Sequence, residues 1–186
     1  MPETTPVARK GDWIQLASGS PFWPLDPRPN EVHIIDIAWG LAHQCRYAGQ
    51  VKQFYSVAEH AILVSHAVPP ADALCGLLHD ASEALGLPDL PRPIKQFMPE
   101  YRAAEDIIME CVAQKFGFPW PMPESVQEMD GRILVNERVA IMGEPPYPWA
   151  DTGPALPDIV INCWEPKLAY QNFIARYREI VGAKRW

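Results

Sequence analysis

Proline sets the outline of this chain before any other residue does. Its 21 prolines fall in clusters: Pro21, Pro24, Pro27 and Pro29 near the start, Pro88, Pro91 and Pro93 in the middle, and a run from Pro145 to Pro157. A proline inside a helix removes a backbone hydrogen bond and clashes with the preceding turn, so helices are confined to the stretches between clusters. Those stretches carry apolar residues at helix spacing. Ile34, Ile37, Ala38, Leu41 and Ala42 recur in a run from about Glu31 to Arg46. Ser56, with Glu59 three positions on, reads as a capping box opening a helix from Val57 to Val68. Ala71 to Leu85 is apolar nearly all round, which predicts a central helix. A short turn is expected near Ile94 to Phe97. Glu100 to Phe116 forms the next helix, with Gly117 as its C-cap, followed by helices over about Pro123 to Met142 and Pro166 to Val181. Trp13 to Leu16 and Pro21 to Trp23 flank Ser18-Gly19-Ser20 and predict a small hairpin or arm. The expected fold is all-α, a bundle of about six helices with a small N-terminal β-hairpin. It is read as one domain over residues 1–186: an arm at 1–30, a helical core at 31–142, and a Pro-rich loop with a last helix at 143–186.

Composition narrows the function classes. A 186-residue chain with 48% hydrophobic and 21% charged residues has enough apolar content for one full core. A net charge of -7 argues against a nucleic-acid footprint, so an anionic small molecule would need a locally basic pocket. Cys45, Cys75, Cys111 and Cys163 are widely spaced without a C-x-x-C pair, and read as small hydrophobes in a reducing compartment. The polar, Pro-containing start and the lack of a long apolar run predict a cytoplasmic protein with no membrane partner.

The chemistry is concentrated in Leu77-Leu78-His79-Asp80-Ala81-Ser82-Glu83-Ala84. Two adjacent ligand-type side chains in a buried run need compensation, because burying an unpaired charge is costly. A divalent cation would satisfy both. His60 in the preceding helical run and Asp130 on the apolar face of a later one complete a mixed N/O set suited to Mn, Fe, Co, Ni, Zn or Mg. A lone histidine on an apolar helix is more often a satisfied core residue, but five such residues on core helices favour a metal site. Glu83, one turn beyond His79 and Asp80, is placed to hold or deprotonate a water.

These residues resemble the HD-domain metal-dependent phosphohydrolase superfamily. Phe54-Tyr55-Ser56-Val57-Ala58-Glu59-His60, the His79-Asp80 run, and Asp89-Leu90-Pro91-Arg92-Pro93-Ile94-Lys95 look like its small bacterial and phage branch, which dephosphorylates deoxynucleotides. That branch holds 5′-deoxynucleotidases and phage deoxyadenosine triphosphate hydrolases. The Trp13 to Gly19 arm and Gln44-Cys45-Arg46-Tyr47 look most like the latter, and the likeness spans roughly Trp13 to Ile141. The resemblance implies a homo-oligomeric enzyme with one divalent metal and a (deoxy)nucleoside 5′-phosphate substrate. It implies His60, His79, Asp80 and Asp130 as ligands, Glu83 as the catalytic group, Arg46 and Lys95 on phosphate oxygens, and Asp89 beside the sugar. Asp89 stands one residue farther from the His-Asp pair than in the 5′-deoxynucleotidases. Trp39 and Tyr47, flanking Arg46, are candidates to stack on a base. Two competing readings are a cyclic-nucleotide phosphodiesterase and a catalytically inactive nucleotide-binding regulator. The presence of all five site residues weighs against the inactive module.

Overall fold

A computed structural model describes residues 8–149 and 154–182. The start of the arm, part of the Pro145 to Pro157 loop and the last four residues lie outside the described residues. The chain is all-α, with one two-stranded antiparallel hairpin, β1 (Ile14–Gln15) and β2 (Pro21–Phe22), in which Ile14 pairs with Phe22. Five helices are long: α1 (Ile34–His43), α2 (Val57–Ala67), α6 (Pro99–Phe116), α7 (Glu124–Ile141) and α8 (Pro166–Val181). Three are short: α3 (Ala73–Leu78), α4 (Ala81–Ala84) and α5 (Arg92–Lys95). The expected six become eight because the run from Ala71 to Leu85 breaks in two and the turn near Ile94 forms a helical turn. Among the described residues, no helix is long and apolar enough to cross a membrane.

α2 is the axis of the fold. Eight of its eleven residues are buried, and it packs against α1, α3, α7 and α8. The Ser56 hydroxyl accepts from the Glu59 N–H at 3.1 Å, as an N-cap should. The reciprocal half of the capping box does not form. Glu59 turns its carboxylate to the backbone N–H groups of Asn162, Cys163 and Trp164, at 2.6, 3.1 and 2.8 Å, which anchors the segment leading into α8. At the far end of α6, Gly117 adopts φ 77 and stops the helix in the left-handed cap that its sequence position predicts.

The helix expected to reach Arg46 ends at His43. Cys45 instead pairs with Ser56 in an isolated antiparallel bridge, and the Arg46 N–H donates to the Tyr55 carbonyl at 2.9 Å. Cys45 and Cys163 are therefore half-buried, outside helices, whereas Cys75 and Cys111 are buried on α3 and α6 as expected. The arm is also less open than its aromatic content implies: Phe22 is fully buried in the core.

α1 and α4 meet at Gly40. A β-carbon there would stand 2.6 Å from the Ala84 side chain and 2.7 Å from its α-carbon. The helices can approach this closely only over a bare backbone. Gly40→Ala is expected to destabilise the protein by about 1–3 kcal/mol through overpacking, read as a lower urea midpoint at unchanged slope. An unchanged midpoint would mean that α4 slides without penalty.

Candidate metal centre and its cleft

Four elements converge on one point. His60 comes from α2, His79 from the end of α3, Asp80 from the break before α4, and Asp130 from α7. The break itself does the aiming. His79 keeps helical angles, but Asp80 turns to φ -104, ψ 18, and its carbonyl is picked up by the Glu83 N–H at 3.0 Å. Asp80 Oδ2 thereby comes within 3.1 Å of His79 Nε2 and 3.9 Å of His60 Nε2. Asp130 Oδ1 closes the group at 3.1 Å from His60 Nε2 and 4.0 Å from His79 Nε2. His60, His79 and Asp130 form a cluster that can hold a metal ion, their ligand atoms all lying within 4.8 Å of one another.

The hydrogen bonds behind the cluster favour that use. His79 Nδ1 donates to the Gly76 carbonyl at 2.8 Å, and His60 Nδ1 to Glu137 Oε1 at 2.6 Å. With the Nδ1 proton of each ring committed, the two Nε2 atoms face each other at 3.3 Å beside two carboxylates, where each can carry a proton or bind a metal ion. Such an arrangement calls for positive charge at its centre, supplied by a proton on His60 or by a metal ion. The residues present fit a divalent ion.

Electrostatics point the same way. Burial and Arg46 work against charge on His60, but Glu137 and Asp130 outweigh them and raise its pKa to about 9. A metal must displace that proton, so its binding weakens in acid. Burial raises the Asp80 and Asp130 carboxyls, yet the two histidines hold both well below the usual carboxylate range. Glu83 moves the opposite way. Burial, then Asp80 and Asp89, push it well above its ordinary value, and its buried Oε2 has no hydrogen-bond partner.

A cleft of about 610 Å³ opens onto the cluster, and Asp80, Glu83 and Asp130 lie in its wall. Arg46, Lys95, Asp89 and Tyr47 line it too, so the structure brings together these site residues expected from sequence. Their roles are more constrained than expected. Arg46 is buried between Glu137, at 3.3 Å, and Asp80, at 3.6 Å. Lys95 is paired with Glu105 at 2.5 Å, and Asp89 accepts from the Tyr47 N–H at 3.2 Å. Arg92, not singled out from sequence, reaches Asp130 at 3.1 Å. Trp39 is not in the cleft. It stacks on His43 with centroids 4.3 Å apart and meets Tyr170 edge-on, on the α1–α8 side of the molecule.

The largest omission from the sequence reading is Glu137. Fully buried, it accepts from His60 Nδ1, Tyr55 OH at 2.9 Å, Arg46 and Tyr47 OH. Burial opposes its charge, but Arg46 and His60 hold its pKa at about 2. The signal was its spacing: seven residues, two helical turns, after Asp130 on the same face of α7. Trp149 was the second omission, a cleft residue within the Pro-rich stretch.

No family model matches the chain. It is 33% identical over 170 residues to the uncharacterized protein YfdR of Escherichia coli (strain K12), a match that covers 90% of this chain and 95% of that protein. It is 35% identical over 128 residues to an uncharacterized protein of Rhodobacter capsulatus, covering 63% of this chain and 65% of that relative. The chain belongs to the family of YfdR.

Proposed function

We propose that the protein is a metal-dependent phosphohydrolase acting on (deoxy)nucleoside 5′-phosphates. One observation carries the reading: two histidine Nε2 atoms and two carboxylates converge at one point, beside a buried carboxyl oxygen that has no hydrogen-bond partner. A purely structural metal site would be closed, whereas this one opens into a cleft that also presents Arg46 and Lys95.

A divalent ion held by His60, His79, Asp80 and Asp130 supplies Lewis acidity towards a phosphoryl oxygen and a water. The protein's own groups do the rest. Glu83, a cleft residue whose buried Oε2 has no hydrogen-bond partner, takes the proton of the attacking water and returns it to the leaving oxygen. Arg46 and Lys95 lie in the cleft wall where a phosphate would sit, and each would have to share its charge with the carboxylate that already pairs with it, Arg46 with Asp80 and Glu137 and Lys95 with Glu105. Asp89, tied to the Tyr47 backbone, borders the position of the sugar. The homo-oligomer implied by the resemblance belongs to the same proposal.

The test is phosphate release from a panel of deoxy- and ribonucleoside mono-, di- and triphosphates, after chelation and readdition of Mn, Co or Mg. Release that vanishes on chelation and returns with metal is the expected result. A protein that binds metal but releases no phosphate from any member would overturn the reading in favour of a regulatory module or of a substrate outside the nucleotides.

A further inference from the structure

The cleft wall carries two chemistries. Besides the charged groups of the cluster, it presents Tyr47, Leu134, Met142 and Trp149. None of these four is needed to hold a metal or to move a proton.

Tyr47 is held in an unusual backbone state. It and Ala48 adopt φ 57 and φ 51, the left-handed region that residues with a β-carbon rarely enter. Such conformations persist only where the surroundings over-determine them, and they gather at ligand sites. Here the Tyr47 N–H is fixed to Asp89, its hydroxyl to Glu137, and the Arg46 guanidinium lies 5.3 Å from its ring centroid. Glu137 does not require this strain, since Tyr55, Arg46 and His60 already donate to it. The backbone turn does place a phenol ring in the cleft wall, 6.2 Å from the ring of Trp149 and inclined to it by 55°. Trp149 is 39% exposed, and Arg138 sits 5.7 Å over its ring.

We infer that Trp149 and Tyr47 form an aromatic subsite that stacks the planar base of the substrate. The inference rests on the nucleotide reading above and says which residues meet the base. Parallel sandwiching needs about 7 Å between rings, twice a stacking contact, so rings inclined at 55° give one stacked face and one edge contact. Stacking of this kind is tolerant of base identity, since every base has a π-face. Broad base acceptance follows, with specificity resting on the sugar and phosphate.

The test is calorimetric binding to full-length protein carrying Glu83→Gln, loaded with Mn, so that turnover is suppressed in every arm. The probes are deoxyadenosine 5′-monophosphate, thymidine 5′-monophosphate and 2-deoxyribose 5-phosphate, which lacks a base. Adding Trp149→Ala is expected to weaken both nucleotides by about tenfold, in the range of a lost base–aromatic stack, and to leave the sugar phosphate unchanged. Trp149→Phe should retain most of the affinity. Equal losses on all three probes, no loss on any, or no nucleotide binding by the parent would each overturn the subsite. Phosphate release by the wild-type protein without a Trp149 effect sinks the subsite and leaves the hydrolase. Trp149-dependent nucleotide binding in a wild-type protein that releases no phosphate does the reverse.

Discussion

Replacing Glu83 with alanine is expected to lower kcat by about 10²- to 10⁴-fold, the usual contribution of a positioned acid or base, while bound metal stays at the wild-type level. The separation follows from geometry. Glu83 is outside the group of facing ligand atoms, and its Oε2 has no protein partner whose loss would disturb the fold. Its removal also relieves a buried carboxyl set against Asp80 and Asp89, so stability should hold or rise. The measurement pairs steady-state phosphate release with metal content by elemental analysis. Full activity in Glu83→Ala would remove this residue from the mechanism, and loss of metal would make it a ligand.

Glu137 should behave in the opposite manner, affecting metal and fold before chemistry. Glu137→Gln keeps the shape but removes the charge that orients His60 and neutralises Arg46; metal affinity is expected to fall about 10- to 100-fold, as for other groups that hold a ligating histidine. Glu137→Ala leaves an arginine, a histidine and two tyrosine hydroxyls short of a buried partner, and a cost of about 3–5 kcal/mol is expected. Chelator-competition titrations read the first effect and thermal denaturation of the metal-free protein the second. Acid supplies a further check. The carboxyl lies at about 2 in the folded protein against 4.5 ordinarily, so its contribution is complete above pH 4.5 and is lost as pH falls through 2. That limb amounts to roughly 3 kcal/mol at most and counts the His60–Glu137 pair once. It should flatten in Glu137→Gln, and an unchanged acid limb would mean that other carboxylates account for acid unfolding.

Local patterns carried the fold far. α2, α6, α7 and α8 lie within a residue or two of the bounds that proline, capping residues and apolar spacing imply. The long-range pairings were not legible. The helix over Ala71 to Leu85 has no proline or glycine at its break, because what turns Asp80 out of the helix is the company of His60, His79 and Asp130, contributed by other elements. Glu59 satisfies the local rule for a capping box, yet a loop about a hundred residues later offers three N–H groups, and it bonds those. The cluster of His60, His79 and Asp130 could be read because the types and order of its residues are themselves the signal. Glu137 had only its spacing from Asp130 to mark it, and a single carboxylate on a mostly polar helix looks like a solvated one until its burial is seen. Trp39 shows the converse: an aromatic at the right helical spacing from Arg46 faces the other way once the helix ends early.

The stretch between α7 and α8 is gripped at several points along its length. Glu137 fixes α7 from within, Asn136 exchanges two hydrogen bonds of 2.9 Å with the Leu156 backbone, and Glu59 clasps the chain at Asn162 to Trp164. A loop held in this way can change length at little thermodynamic cost, because closure entropy grows only slowly with size. The ligands and Glu83 all precede it in the chain. Descendants of this sequence can therefore remodel the wall around Trp149, residue by residue or by insertion, while the cluster of His60, His79 and Asp130 is inherited intact. What such a protein accepts and what it does to it are free to evolve at different speeds.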